Sequence, residues 1–340
     1  MKAAIFNPYW DTLGGGERYT ISFAKVLEEL GYTVDIEWRE KDLLSKIEKR
    51  FGIVAGNINV VESVKKGEGY DICFWVSDGS IPLLHARSNI LHFQVPFTNV
   101  NGSSLINKMK MFRIKRVICN SVFTKDAIDG EFNISSTVIY PPCDTKIIKP
   151  KRKENKILYV GRFSELLQSK RQDILIDAFI RFQNLGYNDW TLTLAGGTDI
   201  GVGDYINKLK KKARNYPIEF IESPTYLQIV DLFGVSKFFW SASGYGEDKK
   251  KHPEKFEHFG ISLVEAMAGG CIPLVYDGGG SPEILGGDIR FLWSKKDALI
   301  RKTSKFVKDS AELRRMSKLM IERSKIFSYE NFKKSVSSNI

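Results

Sequence analysis

Two carboxylates, Glu257 and Glu265, stand eight positions apart in the run Glu257-His-Phe-Gly-Ile-Ser-Leu-Val-Glu265. Gly260 lies between them, and a residue without a Cβ lets the backbone turn tightly and approach a ligand. The stretch Ile261-Ser-Leu-Val-Glu-Ala-Met-Ala268 predicts a buried helix that stops at Gly269-Gly270. Glu257 then precedes a helix N-terminus, and Glu265 lies about two turns inside it. The main chain of Phe259, Gly260 and Ile261 borders the positive end of the helix, a seat for an anion. Carboxylates beside such a seat suit sugar and ribose hydroxyls, which need acceptors. A lone pair of glutamates would more simply be one solvated and one helix-surface residue; other residues change that weighing.

Gly161-Arg162 leaves the end of a strand, and Lys170-Arg171 stands where the next helix begins. Arginine offers a planar fork and lysine a point charge, so Arg162 with Lys170 suits a diphosphate, Arg171 being the alternative to Lys170. Two glycine loops follow strands and lead into helices, Gly14-Gly15-Gly16 near the start and Gly278-Gly279-Gly280 later. Neither spells a dinucleotide fingerprint or a Walker loop, but Gly15 and Gly16 would let main-chain N–H groups face a ligand. His92 ends the apolar run Asn89-Ile-Leu-His92. It reads either as a core histidine bonded to a carbonyl or as a donor to a sugar hydroxyl or phosphate. His85, His252 and His258 show no ligand spacing, so no metal centre is expected.

These residues need a scaffold, and the chain supplies one by alternation. Strands are expected at Lys2–Phe6, Tyr32–Trp38, Asp71–Val76, Asn89–Val95, Lys115–Asn120 and Thr137–Tyr140, with helices between them. Tyr140-Pro-Pro-Cys-Asp144 and the polar run from Lys149 to Asn155 interrupt this order. It resumes with strands at 156–160, 190–195, 218–221, 238–240 and 271–276, and the tail from Lys295 is helical. The reading is two α/β halves, each a doubly wound parallel sheet, with a ligand at the carboxyl ends of the strands in a cleft between them.

Composition narrows the partners. The charge is +11 and uneven, with 19 Lys/Arg against 17 Asp/Glu in residues 1–150 and 32 against 23 in residues 151–340. A basic second half suits a phosphate-bearing substrate, an anionic membrane surface or nucleic acid, though no nucleic-acid motif is present. The segment Ile106 to Arg116 interleaves five basic residues with Met, Phe and Ile. It reads as a basic amphipathic face for anionic lipid, or as a half-buried helix with a charged outer side. No apolar stretch approaches the length of a membrane span, and the apolar part of the N-terminus is too short for a signal peptide. Cys73, Cys119, Cys143 and Cys271 are scattered in apolar runs, as buried thiols in a reducing cytosol would be.

Taken together, these motifs resemble the retaining, GT-B-type glycosyltransferases of family 4 (glycosyl transferases group 1), a group that includes glycogen synthase and many mannosyltransferases. The likeness runs over nearly the whole chain. It is carried by Gly14 to Gly16, Asn120 to Lys125, Tyr140 to Asp144, Gly161-Arg162, Lys170, Glu257 with Glu265, Gly278 to Gly280 and Phe327 to Phe332. Gly14-Gly-Gly-Glu-Arg18, Pro141-Pro-Cys-Asp144 and Glu257-His-Phe-Gly-Ile261 are most similar to the dolichol-pathway α-1,2-mannosyltransferases of that group. The resemblance implies a GT-B fold, two Rossmann-like domains facing across a cleft. Residues 1–150 would form the acceptor side and 151–325 the nucleotide-sugar side, with a helix over 326–340 returning to the first domain.

It also implies roles. Arg162 and Lys170 would hold the donor diphosphate, Glu265 the ribose, and Glu257 would lie at the donor sugar. Gly15 and Gly16 would admit the phosphates, and His92 would reach the transferred sugar. Expected partners are a nucleotide sugar, GDP-mannose in particular, and a glycan or lipid-linked acceptor, with no metal or other cofactor. The expected setting is the cytoplasm, with peripheral contact at its membrane face. A nucleotide-sugar epimerase of the same fold and a non-catalytic carbohydrate- or nucleic-acid-binding protein are the alternatives.

Overall fold

The computed structural model describes residues 1–164, 170–198 and 203–340. Contacts divide the chain into two units, residues 1–142 with 329–340, and residues 143–328. The division falls at Pro142/Cys143, ahead of the expected residue 150.

The first unit runs β1 (Lys2–Phe6), α1 (Gly15–Glu29), β2 (Thr33–Glu37), α2 (Leu43–Phe51), β3 (Ile58–Val61), β4 (Ile72–Val76), β5 (Ser88–Phe93), α3 (Leu105–Met111), β6 (Arg116–Cys119), α4 (Val122–Phe132) and β7 (Thr137–Val138). Its seven strands are all parallel, in the order β3-β2-β1-β4-β5-β6-β7. Parallel strands need crossover helices that cover both faces, so central strands are apolar on both sides. The sequence Ile-Cys-Phe-Trp-Val of β4 shows this directly. Alternation along β5 sends His92 toward Tyr19 and Phe74 on the α1 side, while Leu91 and Phe93 join Ile128 and Phe132 of α4 on the other. The short edge strand β3 has no counterpart among the expected strands; its four residues follow Gly56-Asn57 and only Ile58 is buried.

The second unit runs β8 (Glu154–Val160), α5 (Gln172–Gln183), β9 (Thr191–Gly196), α6 (Gly203–Ala213), β10 (Ile218–Glu222), α7 (Tyr226–Val235), β11 (Ser236–Ser241), α8 (Ile261–Ala268), β12 (Ile272–Tyr276), α9 (Ser281–Ile284), β13 (Leu292–Trp293), α10 (Lys296–Lys308) and α11 (Ser310–Ser324). Its six described strands are parallel, in the order β10-β9-β8-β11-β12-β13. The Cys143 N–H donates to the Phe327 carbonyl at 2.9 Å, so the start and end of this unit are adjacent. The chain then closes with α12 (Tyr329–Ser337), which packs on α1 of the first unit through Phe332 against Tyr19, ring centroids 5.2 Å apart. All four cysteines are buried thiols.

Candidate active site

Strand order locates the sites. In a doubly wound sheet the crevice opens where the order reverses, beyond the carboxyl ends of the two strands at that point. In the second unit those strands are β8 and β11. The chain leaving β8 carries Gly161, Arg162 and Lys170, and the chain leaving β11 carries Ser243 and Glu257.

The two sides meet. Lys170 Nζ lies 2.8 Å from Glu257 Oε2, although the residues are 87 positions apart, and their side chains are only 13% and 19% exposed. Ser243 Oγ donates to the same carboxylate oxygen at 3.4 Å. Burial alone would push the Glu257 carboxyl up. The Lys170 charge and hydrogen bond outweigh burial, so the group is held below its ordinary value and stays ionised. Tyr159, also buried here, is raised well above its ordinary value, first by burial and then by the Glu257 charge.

The Glu257 turn is fixed by the glycine loop after β12. Gly280 N–H donates to the Glu257 carbonyl at 2.7 Å. A Cβ on Gly279 would stand 2.3 Å from that same oxygen, and one on Gly280 2.3 Å from the His258 carbonyl. The glycines at 279 and 280 are therefore met here by the backbone of the Glu257 turn. Gly260 caps α8 at φ 111°, a left-handed value that favours glycine, and α8 spans Ile261–Ala268 as its pattern indicates. Phe259 is 2% exposed and packs on Phe327 at 5.5 Å, so its ring contributes packing. Ile261 is half-buried, and Glu265 is buried within α8 at 6% exposure.

Arg162 is exposed, and its carbonyl accepts from Gln172 Nε2 at 3.0 Å, tying the end of β8 to α5. Arg171 differs from Lys170. Its guanidinium forms two 3.0 Å bonds with Asp173, donates to the Tyr245 carbonyl at 2.5 Å and lies over the Tyr245 ring. Beside Lys170 and Arg171 is a cavity of about 530 Å³, to which Lys208, Lys212 and Lys255 add positive charge and Asp173 and Glu247 negative.

In the first unit the reversal lies between β1 and β4, and the glycine loop follows β1. Glu17 organises the loop by accepting from Gly14 N–H and Thr12 Oγ1, both at 2.6 Å. Gly15, exposed, opens α1. A Cβ on Gly16 would stand 2.1 Å from Gln94 Oε1, so Gly16 makes room for that amide.

His92 requires a correction. It is fully buried, its Nδ1 is 3.1 Å from the Ile118 carbonyl, and its ring stacks on Tyr19 at 4.2 Å. Burial pushes it down to about 3, so it is a neutral core histidine bonded to a carbonyl, with none of its ring exposed. Gln94, two residues on and just past β5, is the residue that meets the glycine loop. Its Oε1 is buried and has no hydrogen-bond partner among the described residues. Neither Gln94 nor Ser243 was singled out in the sequence. The available signals were the polar residue just past the β5 run and the small-residue turn Ser241-Ala-Ser243-Gly244 after β11.

Residues 144–323 match the family model described as glycosyl transferases group 1. The Alpha-1,3/1,6-mannosyltransferase ALG2 of Yarrowia lipolytica is 25% identical over an alignment covering 88% of this chain and 82% of its own. The GDP-Man:Man(3)GlcNAc(2)-PP-Dol alpha-1,2-mannosyltransferase of Candida albicans is 28% identical over 42% of this chain and 24% of its own. Among solved structures, Anabaena HepE in complex with UDP and glucose covers 99% of this chain and 98% of its own, at TM-score 0.76 and 17% identity. AviGT4, a glycosyltransferase involved in avilamycin A biosynthesis, covers 100% and 96% at TM-score 0.66 and 15% identity. These structural likenesses establish the two-sheet, GT-B fold.

Proposed function

This chain belongs to the glycosyl transferases group 1 family and is a glycosyltransferase; from that premise we propose that it moves mannose from GDP-mannose to a glycan or lipid-linked acceptor, with retention and without a metal. The observation that carries the proposal is the Lys170–Glu257 pair at the β8/β11 switch point. Relatives along most of the chain are mannosyltransferases, and a partial match acts on a dolichyl diphosphate glycan, which supports the choice of sugar and acceptor class.

The mechanism follows from charge. Cleaving a sugar–diphosphate bond puts negative charge on the leaving phosphate and positive charge on the anomeric carbon. Fixed cations and helix N-termini stabilise the first. Lys170 has three donors, so one can stay on Glu257 while another takes a phosphate oxygen. Arg162 supplies a planar fork from the same strand end, and the N-terminus of α8 adds main-chain donors. Glu257, held ionised, sits where it can accept from the sugar hydroxyls and favour positive charge at the anomeric carbon. Glu265 accepts from the ribose. The leaving diphosphate takes the acceptor proton on the face it departs from, which gives retention.

The test is transfer from GDP-mannose to a soluble mannosyl acceptor, with products resolved by linkage. Lys170→Ala should cut kcat by about a hundred- to a thousandfold, the usual loss for one preorganised donor to developing charge. Wild-type rates in this variant and in Glu257→Gln, with both proteins folded, would remove the site. Conversion of donor alone, without acceptor, would point instead to an epimerase.

A further inference from the structure

We infer that α3 and the turn after it form a docking surface for an anionic lipid membrane. The inference goes beyond the transfer reading and uses no residue of the second unit.

Isolated exposed apolar residues are ordinary on protein surfaces. Here four fall within eight residues: Leu105 is 74% exposed, Ile106 67%, Met109 63% and Phe112 89%. No residue of α3 is buried. At about 100° per residue these four side chains share an arc of roughly 120° if the helical turn is continued to Phe112. Lys108 and Lys110 stand on either side of that arc. Arg113, Lys115 and Arg116 follow, all exposed. From residue 79 to residue 125 the chain has seven Lys and Arg and no Asp or Glu. An apolar stripe flanked by cations is what an interfacial lipid-binding segment requires.

The helix is held in this posture from both ends. Glu131 of α4 accepts from the N–H groups of Asn99, Val100 and Gly102 at 2.8, 3.0 and 2.9 Å, fixing the loop that enters it. Asn107 Nδ2 donates to the Asn101 carbonyl at 3.0 Å, and Ser104 Oγ accepts from Asn107 N–H at 3.3 Å. Beyond the helix, Arg113 Nε donates to the Leu84 carbonyl at 3.3 Å, and its own carbonyl accepts from Asn89 Nδ2 at 2.9 Å. Met111 and Ile114 face the core cluster around Leu91 and Phe93. One side is thus tethered and the other bare. A stable protein partner needs about 800 Å² on each side, and four side chains on two helical turns offer only a few hundred. A bilayer needs a few inserted side chains and nearby cations, which this surface has. Among the described residues no helix is long and apolar enough to cross a membrane, so the contact is one of lying on the surface.

The experiment is vesicle flotation of the full chain without nucleotide sugar. One set of vesicles is phosphatidylcholine alone; the other is phosphatidylcholine and phosphatidylglycerol at two to one. Binding should be confined to the anionic set and weaken with salt. Ile106→Ser with Phe112→Ser should lower the bound fraction at least tenfold. Lys108→Gln and Lys110→Gln should each lower it about fivefold at low salt. These positions are exposed or half-buried, so the melting temperature should not move, and transfer to a soluble acceptor should be unchanged. Equal binding by the serine variant, or none by the wild type, overturns the proposal. So does a wild-type dimer that the serine variant dissociates. Loss of transfer with vesicle binding intact would count only against the transfer reading.

Discussion

Lys170 holds Glu257 ionised against its burial, and that has a sign that can be measured. Glu257 is held below its ordinary value, so its contribution to stability is complete above the ordinary carboxylate range and fades as pH falls through the lowered value. Glu257→Gln should therefore melt below wild type by the widest margin near neutral pH, the gap closing below about pH 4. Calorimetry across that range checks it; a gap that grows in acid contradicts the assignment. The pair is partly exposed, so removing Lys170 alone should cost about 1–3 kcal/mol, less than for a fully buried pair. Removing both side chains should recover part of that cost, which a double-mutant cycle reads directly. His92 behaves differently: with its ring neutral down to about 3, it cannot shape the activity profile between pH 5 and 8.

Each glycine loop is matched to one neighbouring element, and the kind of neighbour decides what a Cβ would cost. At Gly16 the obstruction is the end of the Gln94 side chain, 2.1 Å from a Cβ, which can move or be removed. Gly16→Ala with Gln94→Ala should be about 1 kcal/mol more stable than Gly16→Ala alone. At Gly279 the obstruction is the Glu257 carbonyl at 2.3 Å, and φ is +66°. No side-chain truncation relieves that, so Gly279→Ala should cost more than about 2 kcal/mol and displace the Glu257 turn. Denaturant melts give the stabilities, and lowered transfer in Gly279→Ala would report the displaced turn. If both glycines tolerated alanine equally, the loops would not be set by these contacts.

The first unit is discontinuous, since its last helix arrives after the whole second unit has been built. Phe332 and Val336 of α12 are 3% and 0% exposed in the core that also holds Trp10, Tyr19 and Phe74. Phe332→Ala should cost about 3–5 kcal/mol, with hydrogen exchange speeding first in α1. Unchanged protection of α1 would mean that α12 contributes little to that core. Much of this organisation is legible in the chain. Continuous apolar runs such as β4, with helices between, suffice for two parallel sheets, because crossover helices must cover both faces. Gly260 and the run Ile261 to Ala268 mark their helix and its cap, because capping and burial are local. Local signals are weaker for β3, which is short and lies at a sheet edge. They also cannot choose between Lys170 and Arg171, adjacent cations: Asp173 is a local partner of Arg171, but Glu257 for Lys170 and the Tyr245 carbonyl for Arg171 arrive only when distant segments meet. Face and depth are likewise three-dimensional. His92 and Gln94 stand two residues apart, yet stacking on Tyr19 encloses the first, while the approach of Gly16 brings the second to the glycine loop. Residue type and periodicity thus established which chemistry the chain can carry and on what kind of scaffold. Packing between segments far apart in sequence decided which of those residues meet, because burial, register and pairing are properties of the assembled fold.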